Sequence, residues 1–350
     1  MIRVLVVDDS AVMRAFLGRV VAAQPDMELA GVSPDPVLAI EKIRRNPPDV
    51  LTLDVEMPRM NGLEFLRNLM AVRPLPVIMI SSLTREGAET TVRALELGAV
   101  DFFPKPASYD QLESGAQEIA EKIRAAAGAR VVRHRRVAPP APAPKPAFAP
   151  AAPVASPAPG VIQQVIAIGA STGGVEALRE VLTRLPPTIP PVLIAQHMPA
   201  GFTETFARRL DTLCRIHVKQ AEDGEPVRGG VAYIAPGGRH LVLARRGLGY
   251  VLRVTEDPPV NRHRPSVDTL FRSVARTAGA NAVGVMLTGM GGDGAEAMRE
   301  MSQAGAWTIA QDEASCVVFG MPRQAIAAGG VREIASLGDI AGRLEALAVP

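Results

Sequence analysis

Residues 2–10 read IRVLVVDDS. A short, almost continuous apolar run rich in β-branched side chains is what a strand buried on both faces requires. The run stops at two carboxylates, Asp8 and Asp9, and Ser10 opens a helical pattern that continues to Ala23. Outward from this unit, further strands fall at about 28–32, 50–53, 76–80 and 99–103, with amphipathic helices between them. Five β/α units in succession imply a (βα)5 domain, a parallel sheet with helices on both faces.

Open parallel sheets bind ligands at the carboxyl ends of their strands. Strand one ends in Asp8 and Asp9, strand three in Asp54, strand four in Ser81 and Ser82, and strand five runs into Lys105 and Pro106. Singly, the aspartates read as helix N-caps and the lysine as a surface residue. Together they put three carboxylates, a hydroxyl and an ammonium group on one rim. Carboxylates that close repel one another unless a cation sits among them. Hard oxygen donors suit Mg2+, which also accepts phosphate oxygens. Over about residues 2–122 the set resembles the receiver domain of two-component response regulators, a flavodoxin-like fold. The resemblance implies that Asp54 is the phosphoacceptor. It implies a Mg2+ held by Asp9, Asp54, the Glu56 backbone carbonyl and, through water, Asp8. Ser81 becomes the switch hydroxyl and Lys105 the phosphate partner, and the Lys105–Pro106 peptide is expected to be cis.

A chain of 350 residues has room for about two domains. From about Ala125 to Gly160 it becomes rich in Ala and Pro and loses apolar periodicity, which reads as an extended, semi-rigid linker over 123–160. The basic run Arg130–Arg136 leaves two readings, a docking patch or, more simply, a solvated helix end and linker. A receiver over 1–122 and a second domain over 161–350 follow. A net charge of +2 suggests neither a nucleic-acid nor a membrane surface. Cys214 and Cys316 lie far apart with no metal-ligand spacing, which fits a reducing compartment. No apolar run approaches the roughly 18 residues of a membrane span, and the start MIRVLVVDDS turns acidic too early for a signal peptide. The expected location is the cytoplasm, with no membrane insertion.

After the linker the α/β alternation resumes as a doubly wound, mainly parallel domain. VIQQVIAIGA, PPVLIAQH, NAVGVMLTG and WTIAQ read as its strands, with helices between. RIHVKQAE, VAYIAPGGRHLVLA and GYVLRVTE read as an antiparallel hairpin region inserted in it. Ser171 lies at a strand-to-helix turn, in GASTGG. Residues 169–173 match Gly-x-Ser-x-Gly, the nucleophile elbow of serine hydrolases, but glycine-rich turns at helix N-termini also hold phosphates. The segment alone leaves nucleophile and phosphate cradle open. A nucleophilic serine needs a base. Among the five histidines, His134 lies in the linker, His217 reads as a half-buried strand residue, and His240 and His263 lie in or after turns. His197 ends a strand on the rim that holds Ser171. Asp293, in the turn Met290-Gly291-Gly292-Asp293-Gly294 after a third strand, could orient the imidazole; taken alone it reads as the N-cap of the next helix. Backbone N–H groups near Met290 are candidate oxyanion donors. The order Ser, His, Asp is not that of α/β-hydrolases.

GASTGG, AQHMP, YIAPGGRH, NRHRPSVD, LTGMGGDG and WTIAQDEASCVVFGMP, behind a receiver, closely resemble the chemotaxis protein-glutamate methylesterases of the CheB family. The linker here is longer and richer in Ala and Pro than in enteric members. The resemblance implies catalytic Ser171, His197 and Asp293, with Thr172, His263 and Met290 lining the site. It implies hydrolysis of glutamate methyl esters on chemoreceptor helices, with deamidation of receptor glutamines and no cofactor for the ester reaction. A chemotaxis histidine kinase would be the phosphodonor, and the unphosphorylated receiver would block the C-terminal site. Competing plans fit less well. A non-catalytic phosphate- or nucleotide-binding output lacks Gly-x-Gly-x-x-Gly spacing and a P-loop lysine. A DNA-binding output lacks a helix-turn-helix pattern and a basic face. An adaptor that only competes for the kinase would have no use for a triad.

Overall fold

The computed structural model describes residues 1–57, 61–105, 109–131 and 164–348. It divides into two compact units, Met1–Val137 and Ala138–Pro350. Residues 132–160 of the expected linker, with most of the basic run Arg130–Arg136, lie outside the described residues, as do Pro106 and therefore the Lys105–Pro106 peptide.

In the first unit, β1 (Ile2–Val7), β2 (Met27–Ser33), β3 (Val50–Asp54), β4 (Val77–Ser81) and β5 (Asp101–Pro104) alternate with α1 (Ala11–Ala22), α2 (Pro36–Arg45), α3 (Gly62–Val72), α4 (Arg85–Glu96) and α5 (Tyr109–Ala127). All strand pairs are parallel, in the order β2-β1-β3-β4-β5. Every residue of β3 and β4 is buried, as helices on both faces demand. Short polar side chains start the helices: Ser10 accepts from Met13 N–H, Asp35 from Val37 and Leu38 N–H, and Asn61 from Glu64 N–H. The last helix runs to Ala127, beyond the boundary expected at 122. Ile119, Ala120, Ile123 and Ala126 are buried, and Arg124 is paired with Asp26 at 2.7 Å. Alanines that looked like linker composition are good helix formers once one face is buried.

The second unit carries β6 (Val165–Ala170), α6 (Gly174–Leu182), β7 (Val192–Gln196), α7 (Phe202–Leu213), β8 (His217–Gln220), β9 (Val231–Ile234), β10 (His240–Arg246) and β11 (Gly249–Thr255). It continues with α8 (Val267–Ala278), β12 (Ala282–Met286), α9 (Ala295–Gln303), β13 (Trp307–Gln311), α10 (Met321–Ala327), β14 (Glu333–Ala335) and α11 (Leu337–Leu347). Seven strands form one parallel sheet in the order β14-β13-β12-β6-β7-β9-β8. The antiparallel reading of this region holds only for the hairpin β10–β11. β8 and β9 pair in parallel with each other, and β9 with β7. Their connection has no helix, so it reads locally as a hairpin. Instead it crosses over and pairs with β11: Gly224 N–H donates to Leu252 O (2.9 Å), Leu252 N–H to Glu225 O (2.9 Å) and Val227 N–H to Tyr250 O (3.1 Å). The hairpin thus does the work that a crossover helix usually does. No helix among the described residues is long and apolar enough to cross a membrane.

Candidate functional site

Both sheets reverse strand order at their first strand, and such a switch point opens a crevice at the carboxyl ends. In the first unit the crevice lies between β1 and β3. Asp8, Asp9 and Asp54 offer carboxylate oxygens that all lie within 4.8 Å of one another. Asp54 is 1% exposed and its Oδ2 accepts from Lys105 Nζ at 2.7 Å. Its Oδ1 accepts from Glu56 N–H at 3.1 Å. Asp8 Oδ1 accepts from Ser10 N–H (2.8 Å), whereas its buried Oδ2 has no hydrogen-bond donor and only Lys105 Nζ at 3.7 Å. Burial pushes the Asp54 carboxyl up to about 6, and the charge of Asp8 pushes the same way against Lys105. Asp8 is raised as well, chiefly by burial. Burial would lower Lys105, but Asp54 and Asp8 outweigh it and hold the ammonium charged. Three carboxylates, one oxygen orphaned and two groups uneasy as anions, fit a hard divalent cation. Ser81 ends β4 as expected, but its hydroxyl is engaged by α4: it donates to Gly87 O (3.2 Å) and accepts from Thr91 Oγ1 (2.7 Å). The Glu56 side chain accepts from Ser82 Oγ at 3.0 Å.

In the second unit the switch point lies between β6 and β12, and Ser171, His197 and Asp293 follow β6, β7 and β12, with β6 at the centre. Gly173, left-handed at φ 78°, turns the chain into α6; a Cβ there would lie 2.6 Å from Val317 Cβ. The Ser171 hydroxyl lies 3.2 Å from His197 Nδ1. His197 Nε2 lies 2.8 Å from Asp293 Oδ2. The imidazole is 8% exposed and the carboxylate 1%. Burial alone would raise Asp293, but the His197 hydrogen bond and charge, with Asn261 and Val267 N–H, hold it at about 2. A carboxylate ionised at neutral pH fixes the tautomer: Nε2 donates to Asp293, which leaves Nδ1 unprotonated towards the hydroxyl.

Of the three residues expected to line the site, His263 makes a ring contact with the triad. His263 stacks on His197, with centroids 3.7 Å apart and planes within 9°. Thr172 follows Ser171, and its carbonyl accepts from Thr288 Oγ1 at 3.0 Å. Met290 lies in the turn after β12, and its N–H has no acceptor among the described residues. The Ser171 N–H is taken by Thr288 O at 3.1 Å, so of these two amides only that of Met290 is open to an oxyanion. Asp293 is not the cap of the helix after it; Gly294 holds that position in α9. Its carboxylate sits instead at the N-terminus of α8. Three polar residues that motif reading passed over also converge here. Gln196 Nε2 donates to Ser171 O (3.0 Å) and His197 O (3.2 Å). Asn261 and Ser266 both donate to Asp293. His217 and His240 lie elsewhere: His217 is half-buried on β8, and His240 is buried between Pro258 O and Ser266 N–H.

A family model described as CheB methylesterase matches residues 166–344, and one described as response regulator receiver domain matches residues 4–117. The protein-glutamate methylesterase/protein-glutamine glutaminase 3 of Burkholderia lata is 57% identical over 347 residues, 99% of this chain and 95% of its own. The Salmonella typhimurium protein-glutamate methylesterase/protein-glutamine glutaminase is 56% identical over 341 residues, 97% of this chain and 95% of its own. The crystal structure of the Thermotoga maritima CheB methylesterase catalytic domain superposes with a TM-score of 0.52 at 37% identity, covering 53% of this chain and 98% of that one.

Proposed function

The chain belongs to the CheB methylesterase family, with a response regulator receiver domain in front of the esterase domain, and from that premise we infer that Ser171, His197 and Asp293 are its catalytic triad. The protein is a phosphorylation-regulated protein-glutamate methylesterase and protein-glutamine glutaminase of chemotaxis. The observation that carries the residue assignment is the unbroken chain from hydroxyl to imidazole to ionised carboxylate, 3.2 and 2.8 Å.

Ser171 Oγ attacks the γ-carbonyl carbon of a receptor glutamyl methyl ester while His197 Nδ1 takes the hydroxyl proton. The imidazolium that forms keeps its Nε2–H on Asp293. Charge developing on the carbonyl oxygen is met by the open N–H of Met290. The tetrahedral adduct collapses, His197 returns the proton to the departing oxygen, and methanol leaves a glutamyl-serine ester. A water deprotonated by the same nitrogen attacks that ester and yields glutamate and free Ser171. With a glutamine side chain the leaving group is ammonia. His263, against one face of His197, shields the imidazole from solvent.

In the receiver, Asp54 accepts a phosphoryl group from a chemotaxis histidine kinase. Mg2+ held by Asp9, Asp54, the Glu56 carbonyl and, through water, Asp8 would neutralise the transferred charge. Lys105 pairs with the phosphoryl oxygens. Ser81 can sense them only by leaving Gly87 O and Thr91 on α4, which links the modification to that helix. The unphosphorylated receiver restrains access to Ser171, and phosphorylation releases it. Methanol release from methylated receptor membranes tests the assignment: Ser171→Ala should lower it by about three orders of magnitude or more. Undiminished release would rule Ser171 out.

A further inference from the structure

The carboxylate of Asp293 is shared among more groups than the imidazole. Oδ2 accepts from His197 Nε2 (2.8 Å) and Val267 N–H (2.7 Å). Oδ1 accepts from Asn261 Nδ2 (2.7 Å) and Ser266 Oγ (2.9 Å), with Asp268 N–H at 3.4 Å. Asn261 spends its second amide hydrogen on another buried carboxylate, Asp268 Oδ2, at 2.8 Å. The amide cannot be turned round, because its oxygen would then face two carboxylates. Asp268 is otherwise held by Ala297 N–H (3.1 Å) and Arg272 Nη1 (3.4 Å).

The backbone is shaped to deliver this amide. Val260 and His263 pair across an antiparallel bridge, with both N–H to O bonds made. The corner residues Asn261 and Arg262 are both left-handed, at φ 52° and 68°. That is the backbone sense of a type I′ turn, and asparagine is among the few side chains that tolerate it. One four-residue turn therefore sets Asn261 on Asp293 and His263 on His197.

We propose that Asn261 is a positioning residue of the esterase reaction: its carboxamide orients Asp293 and separates it electrically from Asp268, and so sets the basicity of His197. The proposal rests on the triad assignment above. Asp293 can orient the imidazole only while its own plane is fixed, and Asn261 fixes the oxygen that His197 does not use. Removing the amide withdraws a donor from Asp293 and one from Asp268, which keeps only Ala297 N–H and Arg272. The groups that remain around the pair are His197 with His263 over it, Ser266, the α8 N–H groups, Asp268 and Arg272. More uncompensated negative charge favours imidazolium, and imidazolium cannot take the Ser171 proton.

The test measures kcat and KM for methanol release by the full-length protein across about pH 5 to 9, with Asn261→Gly, Asn261→Asp and Ser171→Ala. Glycine keeps the left-handed corner and loses only the amide. Asn261→Gly is expected to lower kcat about tenfold or more, change KM less than about twofold, and move the acid limb of kcat/KM to higher pH. Asn261→Asp, which adds a third carboxylate and also accepts the corner conformation, should move the limb further. Circular dichroism identifies folded protein; if Asn261→Gly does not fold, Asn261→Asp decides. A limb that stays in place or moves down in the folded variant overturns the proposal, even if the rate falls, because a purely structural role predicts that result. Full activity of Ser171→Ala would instead overturn the triad on which the proposal rests.

Discussion

Asp54 and Asp293 are both buried aspartates at the carboxyl edge of a parallel sheet, and their surroundings drive them in opposite directions. Asp54 is pushed up to about 6 by burial and by Asp8. That environment suits a cation, in keeping with the proposed phosphoacceptor role. Asp293 is surrounded by donors already and is held at about 2 against its burial. A folded-state value below the ordinary 3.8 means stability that is complete above about pH 4 and lost as pH falls through about 2, on the order of 2 kcal/mol. Asp293→Asn should forfeit that contribution. The unfolding free-energy difference between wild type and Asp293→Asn should shrink as pH falls below about 4. Urea titrations of the esterase transition at each pH measure it, and a difference independent of pH would refute the linkage. The proposed triad was legible in the sequence because each member stands at a strand end with a distinct chemistry. The donors around Asp293 were not. In NRHRPSVD the histidine attracts notice, while Asn261 and Ser266 act only through a turn and a helix N-terminus that no spacing rule reveals.

At the scale of elements, α8 links the sheet to the site. Its first N–H groups reach Asp293, and its first side chain, Val267, wedges between two glycines. A Cβ at Gly169 on β6 would meet Val267 Cγ1 at 2.4 Å and Phe271 Cζ at 3.3 Å. A Cβ at Gly294, left-handed at φ 90°, would meet the same Val267 Cγ1 at 2.4 Å. The glycine before Ala170-Ser171 therefore serves the approach of a helix as well as the strand-to-helix turn. Gly169→Val should push α8 away from β6, destabilise the esterase unit by about 1–3 kcal/mol and lower kcat by loosening Val267 N–H from Asp293. Urea midpoints and initial rates on one preparation check both; a stable, fully active variant would show that α8 does not position the carboxylate. Alternation of strands and helices made the parallel sheets readable. The β8–β9 pair was misread because a helix-free crossover looks like a hairpin when its partner, β11, lies farther along the chain.

At the scale of the whole molecule, the second unit holds all three members of the proposed triad. Among the described residues, the groups hydrogen-bonded to the side chains of the proposed triad lie between Ser171 and Asp293 in sequence. The Thermotoga maritima relative of that unit was solved as a separate catalytic domain. If the receiver acts by restraint, as proposed, it changes how often Ser171 is reached. Control of that kind is a population shift, and its ceiling is the ratio of restrained to free molecules: a chain restrained 99 times in 100 can gain about 100-fold, and no more. A protein from about residue 160 onward should then release methanol faster than the unphosphorylated full-length chain. Beryllofluoride, a phosphoryl mimic at Asp54, should raise the full-length rate towards that of the isolated domain without exceeding it. Asp54→Ala should keep the basal rate and not respond to the mimic. Rates on the same methylated membranes decide. An isolated domain no faster than the unphosphorylated chain would mean that the receiver does not act by restraint, and a stimulated full-length rate well above the domain's would mean that it contributes something positive, such as bringing the enzyme to its receptor.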